Sequence, residues 1–127
     1  MTGQKGKKVL IIEDEAIIRT MCQRILNGDG IDVDVVNDGK EAEKAVARRN
    51  YDLLLVDIRL PGESGVEFYK WLVQEYPEMA LKAIFMTGNI MDTETMSELK
   101  AIDRPYLLKP FRPAELKKIV TEALGQS

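Results

Sequence analysis

A chain of 127 residues, 45% hydrophobic and 31% charged, is large enough to bury a two-sided sheet core and reads as one compact unit. Its formal charge of −3 gives no electrostatic basis for binding nucleic acid or an anionic membrane, and no run reaches the roughly 18 apolar residues of a bilayer span. One cysteine excludes an internal disulfide, and the lack of histidine excludes Ser-His and Cys-His catalysis, imidazole zinc sites and a phosphohistidine on this chain.

No secretory pattern opens the sequence, so the expected location is cytoplasmic. Lys5, Lys7 and Lys8 form a basic leader expected to be frayed and solvated. Beyond it, short apolar runs alternate with segments of helical period, the pattern of repeated strand–helix units. Strands are predicted over 8–12, 32–36, 53–57, 82–87 and 106–108, and helices over 15–27, 39–49, 65–75, 93–102 and 114–124.

The first strand, Val9-Leu10-Ile11-Ile12, is apolar throughout and ends on Glu13-Asp14. The helix after it carries Ile18, Met21, Cys22, Ile25 and Leu26 on one face, with Asn27-Gly28 as its expected C-cap. Cys22 is therefore expected to be a buried small hydrophobe. Ile31 to Val35 alternate with Asp32 and Asp34, which suits an edge strand. Asp38 with Glu41 forms a capping box for the second helix, and Ser64 with Glu67 one for the third, which Pro77 closes. Between them lies Leu53-Leu54-Leu55-Val56, a central strand ending on Asp57. Ala83-Ile84-Phe85-Met86 ends on Thr87-Gly88, and the fourth helix has a thin stripe of Met96, Leu99 and Ile102. Tyr106-Leu107-Leu108 ends on Lys109-Pro110, and Pro113 suits the first turn of the fifth helix, with its stripe of Leu116, Ile119, Val120, Ala123 and Leu124.

If the strands are parallel neighbours, Glu13, Asp14, Asp57, Thr87 and Lys109 emerge at one carboxyl edge, where open α/β sheets bind ligands. Adjacent acids cost energy unless a cation offsets them, and a hard ion such as Mg²⁺ binds one or two carboxylates while keeping waters and phosphate oxygens. Asp57 is then a carboxylate nucleophile able to form an aspartyl phosphate, with Lys109 and Thr87 holding the remaining phosphoryl charge.

Four motifs in register resemble those of the receiver domain of two-component response regulators. They are Val9-Leu10-Ile11-Ile12-Glu13-Asp14-Glu15, Leu55-Val56-Asp57-Ile58-Arg59-Leu60-Pro61-Gly62, Met86-Thr87-Gly88 and Leu107-Leu108-Lys109-Pro110-Phe111. The resemblance covers the whole chain and implies one receiver domain over 1–127, with a core at about 8–124 and no effector domain. It implies a flavodoxin-like, doubly wound α/β fold, a five-stranded parallel sheet of order 2-1-3-4-5. It also implies that Asp57 accepts phosphate from a sensor histidine kinase or phosphotransfer protein, or slowly from small donors. Asp14 and Asp57 are implied to bind Mg²⁺ directly, Glu13 through water, and Arg59 through its backbone carbonyl. Thr87 and Tyr106 match the switch positions that reshape the face of the fourth helix, fifth strand and fifth helix for an unknown downstream target. Arg59 and Asn89 match positions that tune dephosphorylation, and Lys109-Pro110 is implied to be cis. The chain is implied to be a switch rather than an enzyme on other substrates, either a monomer or a dimer through the fourth and fifth helices.

Two departures from the family pattern stand out. Ile102-Asp103-Arg104-Pro105 precede the fifth strand, a version similar to receivers of hybrid sensor kinases, and Arg112 replaces a small polar cap before Pro113. A haloacid-dehalogenase-type phosphatase would need an acid two residues after the nucleophile, where this chain has Arg59, which cannot donate a proton at neutral pH. A flavodoxin is disfavoured because no Ser/Thr/Gly-rich loop follows the first strand, and no Walker loop is present.

Overall fold

Successive residues of a strand face opposite sides of a sheet, so a run that is apolar at every position needs cover on both faces. Three runs have that character and form the central strands β1 (Lys8–Ile12), β3 (Leu53–Asp57) and β4 (Ala83–Thr87). The alternating run forms β2 (Asp32–Val36) at one edge, and the short β5 (Tyr106–Leu108) forms the other. All pairings are parallel, in the order β2-β1-β3-β4-β5, as the resemblance implies. The computed structural model describes residues 6–88 and 93–125; Lys5 of the basic leader and Asn89 lie outside the described residues.

The helices described are α1 (Ala16–Gly28), α2 (Gly39–Arg48), α3 (Gly65–Glu75), α4 (Pro77–Ala80), α5 (Thr93–Ile102) and α6 (Pro113–Gly125). One sheet face presents Val9, Ile11, Leu53, Leu55, Ile84 and Met86 to Cys22 and Leu26 of α1 and to Leu116, Val120 and Leu124 of α6. The other presents Leu10, Ile12, Leu54, Val56 and Phe85 to Ala42 and Val46 of α2, Phe68 and Leu72 of α3, Met79 of α4 and Leu99 of α5. The odd and even residues of each central strand thus belong to different cores. None of the described helices is long and apolar enough to cross a membrane.

Several boundaries differ from expectation for local reasons. Gly28 does not cap α1, which runs through it. The chain turns at Gly30 (φ +82°), whose N–H donates to the Asn27 carbonyl while Ile31 donates to that of Leu26. These two bonds make a Schellman cap, and Ile31 closes it by joining Leu26 in the core. Pro77 does more than close α3: it opens the one-turn α4, where its missing N–H costs nothing, and buries Met79 and Ala80. In α5 the buried residues are Thr95 and Leu99, while Met96 and Ile102 are half-buried against the core. Asp38 caps α2 as expected, but Glu41 reaches back to the N–H of Asn37, one residue earlier than in a capping box. The Ser64–Glu67 box is complete. At the start of α6, Glu115 Oε1 accepts from the Arg112 N–H at 2.9 Å, supplying the tie that Arg112 itself cannot.

Two buried weak acids make the fold sensitive to alkali. Burial, aided by the charge of Glu13, pushes the Cys22 thiol up from 9.0 to about 12. Burial and the hydrogen bond it donates to Asp34 (2.6 Å) also raise the Tyr51 phenol. Both hold their protons more tightly folded than unfolded. Their contribution is therefore full below about pH 9 and is lost as pH rises toward the folded values. Urea titrations between pH 7 and 11 are expected to show falling stability above pH 9, less steeply in Cys22→Ala; a flat profile would contradict this.

Candidate functional site

The parallel register brings four strand-end side chains together, with Asp14 beside them. Glu13 follows β1, and its N–H extends the ladder to the Val36 carbonyl (3.1 Å). Asp57 ends β3, Thr87 ends β4, and Lys109 follows β5 with its N–H on the Thr87 carbonyl (2.8 Å). Because Ile12 pairs with Val56, Asp57 with Met86 and Thr87 with Leu108, these residues sit at nearly one level along the sheet edge. Glu13 is fully buried, and Asp57 and Thr87 are nearly so. Asp57 and Thr87 border a cleft of about 480 Å³ whose lining also includes Asp14, Glu15, Arg59 and Lys109.

Lys109 crosses the cleft. Its Nζ lies 2.7 Å from Glu13 Oε1, 3.3 Å from Asp57 Oδ2 and 3.2 Å from Glu15 Oε1. Burial alone would lower the ammonium's pKa, but contacts with Glu13, Asp57 and Glu15 outweigh it and hold the group above its usual range. Burial pushes the Glu13 carboxyl up to about 7, with Asp57 adding to the rise and Lys109 opposing it. Three carboxylates thus share one ammonium, by count a shortage of positive charge.

That shortage bears on metal binding. Oxygens of Glu13, Asp14 and Asp57 lie within 4.8 Å of one another, an all-oxygen set suited to Mg²⁺. Among the described residues Glu13 Oε1, although in ionic contact with Lys109, has no aligned hydrogen-bond partner. The residues present fit a hard divalent cation.

The backbone holds Asp57 in place. Asp57 Oδ1 accepts from the Arg59 N–H (3.2 Å), Ile58 N–H donates to the Met86 carbonyl (3.0 Å), and Gly65 N–H donates to the Ile58 carbonyl (2.8 Å). The Lys109-Pro110 peptide is cis, as implied. Tyr106 is 39% exposed on its edge strand, and the Arg59 side chain is exposed beside the cleft. Asn89 lies outside the described residues.

Three contributors are not evident from the strand ends alone. Glu15 reaches Lys109, and its only sequence sign is a third acid after Glu13-Asp14. Arg19 donates to the Glu13 carbonyl (3.3 Å) and to the Asn37 side chain, tying α1 to the edge of the site. Gly65 opens α3 directly against Asp57: a Cβ there would stand 2.2 Å from the Asp57 carbonyl oxygen. The sign of this contact was a glycine in the first turn of a helix already capped by Ser64.

Comparison with known proteins agrees with this geometry. The sequence model of the response regulator receiver domain matches residues 9–121. The chain is 31% identical over 122 residues to the alkaline phosphatase synthesis transcriptional regulatory protein PhoP of Bacillus subtilis, covering 96% of this chain and 50% of that protein. It is 29% identical over 110 residues to the DNA-binding response regulator MtrA of Mycobacterium tuberculosis, covering 87% and 47%. It thus spans about half the length of these curated relatives. Among solved structures, the receiver domain of the sensor histidine kinase PA1611 from Pseudomonas aeruginosa PAO1 superposes with a TM-score of 0.84 at 30% identity, covering 94% of this chain and 98% of that one. Its structure has a magnesium ion coordinated in the active-site cleft. A CheY-like receiver domain protein from Methanospirillum hungatei JF-1 gives a TM-score of 0.85 at 26% identity, with 94% of each chain covered. With its motifs, sheet order and acidic cleft in agreement, the chain belongs to the response regulator receiver domain family.

Proposed function

We propose that this chain is the phosphorylation-controlled receiver of a two-component or phosphorelay pathway, that residues 1–127 act as one such unit, and that Asp57 is its phosphoryl acceptor. The observation that carries the reading is the Lys109 ammonium within 3.3 Å of Asp57 and 2.7 Å of buried Glu13, beside the Asp14 carboxylate. A nucleophilic carboxylate needs such a charge nearby, because the group it accepts brings further negative oxygens.

In the transfer, an Asp57 oxygen attacks phosphorus and a new P–O bond forms. The donor's P–N bond breaks, leaving its electron pair on the imidazole of the partner's phosphohistidine; a small acyl phosphate instead loses a carboxylate. Lys109 and the Thr87 hydroxyl take up charge on the phosphoryl oxygens. Asp14 and Asp57 would hold Mg²⁺ directly, Glu13 through water, and the Arg59 carbonyl would complete the protein's share. When bound, the ion supplies positive charge where the phosphoryl oxygens gather. The donor is a sensor histidine kinase or a phosphotransfer protein.

The output follows from the placement of Thr87. It is buried at the end of β4 opposite Leu108 of β5, while half-exposed Tyr106 lies opposite Phe85, two residues back along β4. A phosphoryl group carrying about 1.5 to 2 negative charges draws the hydroxyl inward, and Tyr106 follows into the vacated space. The face of α5, β5 and α6 then changes shape for a downstream protein or a second copy, to the extent that the two states differ in their interaction with the phosphoryl group. Arg59 and Asn89 tune how long the group persists.

Intact-mass spectrometry after treatment with acetyl phosphate and Mg²⁺ should show the gain of one phosphoryl group. Asp57→Asn should abolish the gain. An unchanged mass in the parent protein, together with no binding of beryllofluoride, would refute the assignment. Sustained turnover of an unrelated phosphate ester would instead favour a phosphatase.

A further inference from the structure

Glu15 occupies the N-cap position of α1 in an extended conformation (φ −80°, ψ 114°). An acid there ordinarily accepts from the first-turn N–H groups, a contact the helix dipole also favours. Glu15 makes no such side-chain bond; its Oε1 instead lies 3.2 Å from Lys109 Nζ, 94 residues along the chain. Its own N–H is held by Glu13 Oε2 at 3.2 Å, so the backbone is anchored while the side chain reaches out.

The three carboxylates around Lys109 differ in their freedom to leave. The side chain of Glu13 is 0% exposed and that of Asp57 6%, whereas that of Glu15 is 62% exposed. Lysine has three donors, and a phosphoryl oxygen on Asp57 must claim one of them. Glu13 and Asp57 are fixed by the sheet, so Glu15 is the partner able to yield. An incoming anion also meets the negative charge of Glu15 at the open mouth of the cleft, where like charges repel.

We propose that Glu15 is a built-in competitor for Lys109, a displaceable carboxylate that weakens the capture of small phosphate-like anions and so sets donor selectivity. The inference rests on the reading of Asp57 as phosphoryl acceptor. Glu15 takes no part in the covalent step; it acts through Lys109 and is a specificity-determining, positioning residue.

Calorimetric titration with beryllofluoride at saturating Mg²⁺, on the full chain, tests the idea with parent, Glu15→Gln and Glu15→Asp proteins. Glu15→Gln should bind about two- to fivefold tighter, the range of a partly exposed ion pair. Glu15→Asp, with charge kept but reach shortened, should fall between the two. With acetyl phosphate as donor, Glu15→Gln should lower KM by a similar factor and leave kcat unchanged, a split that loss of mere structural support would not produce. Equal beryllofluoride affinity in parent and Glu15→Gln would overturn the role of Glu15 while leaving Asp57 as acceptor. No binding by any of the three would overturn both.

Discussion

Lys109→Met should lower the unfolding free energy of the metal-free protein by about 3 kcal/mol and abolish capture of a phosphoryl group. Removing one partner of a buried charge pair leaves the other charge uncompensated. The Lys109 side chain is 12% exposed, and the Glu13 carboxylate within 2.7 Å of it is fully buried. Burial already holds Glu13 above its usual range with Lys109 in place, and removing the ammonium takes away the cation that opposes the rise. Mg²⁺ should therefore stabilise Lys109→Met more than it stabilises the parent, because the same oxygens gain more from the ion when the lysine is gone. Urea denaturation with and without Mg²⁺ measures both effects. Adding Asp57→Asn to Lys109→Met should recover part of the loss, and the double-mutant cycle gives the coupling directly. A Lys109→Met protein as stable as its parent in the absence of Mg²⁺ would mean that the ammonium does not compensate these acids.

Gly65→Ala is expected to cost about 3 kcal/mol, at the upper end of overpacking, and to impair phosphoryl acceptance as well. The added Cβ would meet the Asp57 carbonyl oxygen at 2.2 Å, with the Asp57 carbonyl carbon and the Ile58 Cα both at 3.0 Å. All three are backbone atoms of the segment that aims the Asp57 carboxylate, so relief requires moving either the start of α3 or Asp57 itself. Gly28→Ala is the matched control. It lies in α1 with nothing within 4 Å of its missing Cβ, and should stabilise by about 0.5 kcal/mol through helix propensity. Thermal melts of the two variants, with beryllofluoride titration of each, separate a local clash from a general glycine effect. Equal melting temperatures for Gly65→Ala and the parent would show that the contact relaxes freely.

The acidic cleft is readable from the chain to a large degree because strand ends carry a simple code. A run such as Leu53-Leu54-Leu55-Val56 announces a covered central strand, and parallel neighbours must deliver their terminal residues to one edge. Glu13, Asp57, Thr87 and Lys109 are found there because each directly ends or follows such a run. A local signal with two uses is less decisive. Gly28 resembled a cap, but Gly30 holds the positive φ because the Schellman turn also needs Ile31 to reach the core. Pro77 resembled a stop signal and also starts a turn of helix, since proline both breaks and begins helices.

Local pattern along the chain already reveals the strand–helix alternation, the central and edge strands, and the residues bound for the carboxyl edge. Those properties follow from short-range periodicity, which measures how many faces of an element must be buried. The assembled fold adds that Glu15 leaves its own helix end for Lys109, that Arg19 ties α1 to Glu13, and that Gly65 presses on the Asp57 carbonyl. These contacts are set by strand spacing and helix docking, quantities that arise once the two cores have packed and that no local pattern encodes.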